Sequence, residues 1–384
     1  MNIVYFGNEW FAENRTSSHH IARRLPQYGK LLYVDSPGLR PPRASGRDFR
    51  RLFRKLAQTL RKPTEVAPGL WHCTVPQMPF TNIPGVSAFN RWFGRWAVLR
   101  AVKAVGFEHF LSWFVVPHPG FLAGKLGEDF VVYYCIDDYA AHPGVDRKAV
   151  EEADAALTRE ADLVFVAPPA LIDSKRAQNA STLFSPHGVD YDLFSMAADE
   201  STVVPAQAAA LPSPIIGFFG SLADWINVDL LAELARERPA WTLLLIGHAS
   251  TDVSALANLR NVVMVGAQRY ETLPHWAKSF DVAIIPYRLN RQVRNANPLK
   301  LREYLATGKP IVSVPTPEVE RFATHVRMAE TAQDFIAAIE AALQDRDADK
   351  PLQRMLAVRA MSWDARVAEI VRCVEHGMAE RRGA

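Results

Sequence analysis

Short runs that are apolar at nearly every position alternate along this chain with stretches in which apolar residues recur every three or four positions. In the first half the runs are residues 2–6, 31–35, 110–116, 130–136 and 162–167; in the second they are 214–219, 241–246, 261–265, 281–285 and 310–314. Runs of this length and evenness predict strands covered on both faces, as in a parallel sheet. The periodic stretches 19–25, 151–161, 174–178, 229–237 and 273–279 predict helices between them. Each half therefore reads as a chain of βα units, giving an α/β protein of two Rossmann-like domains, 1–194 and 214–360. Residues 195–213 carry alanine, serine, proline and acidic residues without periodicity and predict a linker. Residues 361–384 predict a closing helix.

Open α/β sheets bind ligands beyond the carboxyl ends of their strands, so the polar residues there are the candidates. Gly7 ends the first strand and lets backbone approach a ligand closely. His118 and Asp137 follow the third and fourth strands and are candidate catalytic groups. Their local alternatives are a proline-flanked loop for His118 and a helix cap for Asp137.

The most informative stretch is residues 294–310, RNANPLKLREYLATGKP. It predicts a short helix with Asn297 as N-cap, Pro298 at the first position, Gly308 as the left-handed residue after the end, and Pro310 blocking continuation. Free N–H groups over Asn297 to Lys300, from Asn297, Leu299 and Lys300 around Pro298, make an anion site with the helix dipole. Lys300 adds a full charge, and Arg288, Arg291 and Arg294 crowd the preceding loop. Glu303, one turn on, has two acceptor oxygens for a vicinal diol such as a ribose. Phosphate at the helix start and ribose one turn inside describe a nucleotide; a capped surface helix with a Lys300–Glu303 pair is the plainer alternative.

Length and charge fit this picture. The 384 residues suffice for two cores, and a net charge of +3 does not call for a nucleic-acid partner. Three cysteines, at 73, 135 and 373, support neither a disulfide framework nor a zinc site. No apolar run reaches membrane-spanning length, and the chain opens on a strand, so a cytoplasmic protein is expected. Two segments add a partner. Residues 40–62 hold nine basic residues with Phe49, Leu52, Phe53, Leu56 and Leu60 at helical spacing, and residues 89–103 mix tryptophan, phenylalanine and arginine. Both suit an anionic membrane surface, placing the protein at the inner face of the cytoplasmic membrane; the alternative is that both pack on the first domain.

Glu303 followed by YLATGKPIV resembles the C-terminal signature of glycosyltransferase family 4, retaining enzymes with the GT-B fold. The run ADLVFV (residues 161–166) followed by HGVDxxxF (187–194) resembles the end of that family's first domain. The resemblance implies two Rossmann-like domains facing across a cleft, with the last helix crossing back to the first. It implies donor ribose on Glu303, a turn at Gly188 near the donor, and a donor loop 220–229 that includes Ser221. It implies a nucleoside-diphosphate sugar, UDP- or GDP-linked, as donor, with no other cofactor and no metal. The acceptor is then a saccharide, expected to be lipid-linked, in synthesis of a bacterial surface polysaccharide.

The sequence departs from the pattern in three places. Asn295 stands where the family has its first glutamate, His187 where it has asparagine, and the 220–229 loop lacks the usual arginine and lysine. The loop matches a subgroup with Trp-x-x-x-Asp that includes exopolysaccharide and teichuronic-acid transferases. The departures keep two other readings open, a nucleotide-sugar epimerase and a non-catalytic subunit of the same fold.

Overall fold

The computed structural model describes residues 1–12, 15–35, 62–75 and 85–383. Of the basic segment expected at 40–62, all but Lys62 lies outside these residues. The chain forms two compact units, residues 1–186 with 366–384, and residues 187–365.

The first unit is built on an eight-stranded sheet of order β3-β4-β2-β1-β5-β6-β7-β8. Its strands are β1 (Asn2–Gly7), β2 (Lys30–Asp35), β3 (Thr64–Ala67), β4 (Leu70–Thr74), β5 (Leu111–Phe114), β6 (Phe130–Cys135), β7 (Leu163–Val166) and β8 (Thr182–Phe184). All pairings are parallel except β3 with β4. The even apolarity of the strands has its reason here, because both faces are covered. Val4, Phe6, Val34, Phe114 and Val166 join an aliphatic and aromatic core on one face. The alternate residues Tyr5, Tyr33, Trp113 and Phe165 stack with centroids 5.3–6.4 Å apart on the other. The helices that matter below are α1 (Ser17–Ala22), α2 (Val86–Val105) and α3 (Arg147–Glu160). The hairpin β3–β4 was not visible in the sequence, because its burial is only partial and its apolar pattern weak.

The second unit has a six-stranded parallel sheet, β11-β10-β9-β12-β13-β14. These strands are β9 (Ile215–Phe219), β10 (Thr242–Ile246), β11 (Val262–Met264), β12 (Val282–Ile285), β13 (Ile311–Ser313) and β14 (Arg327–Met328). Helix α4 (Val228–Glu237) buries Leu230, Leu231 and Leu234, and its cap is Asn227, whose side chain accepts from the Leu230 amide at 3.2 Å. Helix α5 (Leu299–Ala306) follows β12.

The expected linker at 195–213 is a correction. Those residues hold short helical turns, Met196–Ala198 and Ala206–Ala209, and belong to the second unit. Ala197 and Ala208 are buried in its core, so small residues that looked like a spacer are packing residues. The last helix, α6 (Trp363–Gly383), starts in the second unit, and from Arg366 it belongs to the first. There Gly377 lies against the Phe130 ring and Arg381 pairs with Asp162.

Candidate active site

The site is assembled where β9 and β12 end and α5 begins, wholly within the second unit. Pairing between β9 and β12 stops at Gly217, and beyond it the Phe219 amide donates to the Tyr304 hydroxyl at 2.9 Å. That bond ties α5 to the end of β9. At the next residue the chain turns with Gly220 at φ +137°, where a Cβ would collide with Lys300 Cε. The absence of a side chain at 220 thus lets the Lys300 stem lie directly on the strand end.

Helix α5 starts one residue later than the sequence suggested. Pro298 is the N-cap, with φ −69° and ψ 123°, and Asn297 lies outside the helix. The cause is Arg302. Its guanidinium is fully buried, and Nη1 donates to Asn297 Oδ1 at 2.6 Å, so that oxygen is taken before it can cap. Arg302 Nη2 also pairs with the buried Glu318, which takes a second donor from Arg321 Nη1 at 3.1 Å. The Asn297 carbonyl is held from the other side by His187 Nδ1 at 2.8 Å. A carbonyl only accepts, so Nδ1 carries the proton. Asn297 is therefore clamped twice, and neither Arg302, Glu318 nor the role of His187 was evident from spacing alone. Pro298 has no amide, which leaves Leu299 and Lys300 to present N–H groups at the helix start. Gly308 is left-handed at φ +73° and closes the helix as expected.

Glu303 is buried one turn inside. Burial raises its carboxyl pKa to about 7; Lys300 pulls it down, Asp190 pushes it up, and the Tyr270 hydroxyl, donating to Oε1 at 3.3 Å, pulls it down. Burial lowers the Lys300 ammonium, and Glu303 partly restores it. Lysine and glutamate thus share a partly dry space beside Gly220, short of compensation for their charges. Asp190 and Tyr270 are additions to the expected site. The sequence signal for Asp190 is its place in the HGVD run, two residues after Gly188.

The other expected residues fall as follows. Ser221 is half-buried in the loop after β9. Arg294 is exposed, and Asn295 is the half-buried C-cap of the short helix Arg291–Arg294. Arg288 is a correction, because it turns away to the Ile226 carbonyl at 3.0 Å and to Asp229 at 3.3 Å. Gly188 is also explained by packing: a Cβ there would lie 2.9 Å from Trp363 Cα, and its φ is not left-handed. In the first unit Gly7 makes room for the Tyr33 hydroxyl. His118 opens a half-buried 3₁₀ turn, and Asp137 binds His142 Nε2 and the Asp138 amide, both at 2.9 Å. These three belong to the first unit.

With this geometry in hand, residues 213–345 match the family model for glycosyl transferases group 1. The match spans the strand ends, α5, Lys300 and Glu303. The chain is a glycosyltransferase with the GT-B fold. It is 27% identical over 289 residues to a chain of Bacillus subtilis (strain 168) named for teichuronic acid biosynthesis, the glycosyltransferase TuaH, covering 69% of this chain and 72% of that one. Among solved structures it resembles sucrose-phosphate synthase from Thermosynechococcus elongatus, with TM-score 0.72, 16% identity and 99% of each chain covered. It also resembles Anabaena HepE, solved with UDP and glucose, with TM-score 0.67, 13% identity, and 96% and 99% covered. These likenesses favour transfer over the epimerase and binding-subunit readings.

Proposed function

We propose that the enzyme moves a sugar from a nucleoside-diphosphate sugar to a lipid-linked saccharide during assembly of a bacterial surface polysaccharide. The observation that carries the donor side is the convergence of Lys300, Glu303 and the Leu299–Lys300 amides at the glycine-lined end of β9. The diphosphate sits on the amides and Lys300, and Glu303 accepts from the ribose hydroxyls. The family match and the HepE complex with UDP support this reading, and the relative named for teichuronic acid supports the polysaccharide context.

Breaking the anomeric C–O bond leaves a nucleoside diphosphate whose oxygens gain negative charge. Fixed amides and a desolvated ammonium aimed at that charge lower the barrier, in place of a divalent cation. Burial makes the free ammonium costly, so the phosphate is its natural counter-ion. Transfer with retention fits a front-face displacement: the acceptor oxygen bonds to the anomeric carbon on the side the phosphate leaves, and its proton passes to the leaving phosphate oxygen. Arg294, Asn295 and Ser221 line the approach as further donor contacts. His118 and Asp137, the latter paired with His142, serve the acceptor as catalytic groups.

Thermal shift with UDP, GDP and ADP tests the donor site, since a ligand that binds the native state raises its melting temperature. Lys300→Ala is expected to abolish the shift and to lower turnover by roughly 10²–10³-fold. Unchanged donor affinity and turnover in that variant would overturn the assignment.

A further inference from the structure

Helix α2 has a face that the transfer chemistry does not use. Its inner side, Asn90, Gly94, Ala97, Val98, Ala101 and Val102, is buried on the first unit. Its outer side carries Phe89, Trp92 and Trp96, which are 40%, 64% and 41% exposed. With Phe93 they form one continuous ladder, with ring centroids 5.6–6.0 Å apart. Other large exposed apolar residues, such as Phe11, Val203 and Met264, lie on separate elements. A row of aromatics on one helix is not what a solvated face requires.

The charge on the same helix is one-sided. Arg91, Arg95, Arg100 and Lys103 are its only ionisable residues, all basic and all exposed. The ladder runs into this charge, with the Arg100 guanidinium 5.9 Å from the Trp96 ring centre. Beyond it Arg100 and Lys103 join Lys62 around a pocket of about 220 Å³, which Cys73 and Thr74 also line and which no carboxylate lines among the described residues. The helix thus offers an apolar ladder, then a cation-lined hollow. No helix among the described residues is long and apolar enough to cross a membrane, so this is a surface-lying arrangement.

We propose that the outer face of α2 docks on an anionic lipid bilayer, with Phe89, Trp92 and Trp96 at the headgroup–acyl boundary and a lipid phosphate in the Lys62–Arg100–Lys103 pocket. The chemistry is that of interfacial helices, in which buried apolar area and attraction to anionic lipid add. A single-stranded nucleic acid is a poorer match, because the rings lean on one another along one helix instead of standing apart as separate platforms for successive bases. The docking does not rest on the donor assignment, and its test needs no sugar.

The full chain is floated with phosphatidylcholine vesicles with and without phosphatidylglycerol. The wild type is expected to bind the anionic vesicles, less so at high salt, and to show tryptophan emission quenched by lipids brominated in the acyl chains. Trp92→Ala with Trp96→Ala should weaken binding roughly tenfold or more. Arg100→Glu with Lys103→Glu should do so by at least about tenfold. Lys148→Glu, on the exposed side of α3, should bind like the wild type. Circular dichroism and melting temperature confirm that the variants fold. The proposal is overturned by a wild type that ignores anionic vesicles, by α2 variants that bind unchanged, by loss in Lys148→Glu as large as in the α2 variants, or by displacement from vesicles with oligonucleotide.

Discussion

At Glu303 the proposed ribose contact ties the ionisation of a buried carboxyl to the ligand. Burial raises its pKa to about 7 from an ordinary value of 4.5, so near neutrality it is partly protonated in the free enzyme. A ribose diol donates to the carboxylate and favours the charged form, so binding lowers that pKa. The complex then holds fewer protons than the free protein between the two values. Affinity for a nucleotide sugar, whose diphosphate is fully ionised throughout, should rise with pH from about 5 to about 7 and level off above it. Calorimetry in buffers of different ionisation enthalpy should show proton release near neutral pH. Flat affinity across that range would remove Glu303 from the ribose contact. The sign for folding runs the other way. A raised folded-state pKa stabilises fully below the unfolded value, and that contribution is lost as pH climbs from about 4.5 through 7. Glu303→Gln should flatten this slope in denaturation experiments while weakening donor binding.

At the scale of elements, the start of α5 depends on a buried ion pair. Arg302 reaches back along its own helix to Asn297 and across to Glu318, on the helix Pro317–Glu320 after β13. Glu318→Gln strands the buried guanidinium and should cost about 3–5 kcal/mol of stability. Arg302→Met leaves Glu318 with its exposed partner Arg321 and should cost less. The double variant Arg302→Met with Glu318→Met should recover much of the lost stability, because apolar side chains of similar size replace a buried pair at little net cost. It should still bind donor poorly, because Asn297 keeps only its His187 contact and the Leu299 and Lys300 amides are held less firmly. Urea denaturation and donor titration separate the two effects. A double variant that binds donor normally would show that the pair serves folding alone.

For the molecule as a whole, what the sequence disclosed and what it hid have a common physical reason. Strands apolar on every residue were legible because both faces of each sheet are covered, and Lys300, Glu303 and Gly308 were legible because helix ends leave local signals. The hairpin β3–β4, the packed segment 195–213 and the Arg302–Glu318 pair were not, because each depends on neighbours distant in sequence. The bareness of glycines 7 and 188 also answers side chains distant in sequence, Tyr33 and Trp363. The proposed donor group, by contrast, lies within residues 187–365, from Asp190 and Gly220 to Tyr270, Lys300 and Glu303. Binding of a nucleoside diphosphate should therefore be read by one unit. In hydrogen exchange of the full chain, UDP should slow amides in the second unit, first in peptides covering Gly220–Ser221 and Leu299–Glu303, because only the native site binds it and local opening is suppressed. The Lys300→Ala protein should lose that protection at the same UDP concentration. Protection appearing instead chiefly in residues 1–186 would mean that the diphosphate is held by the first unit, and the donor site would have to be sought at the ends of β1, β5 and β6.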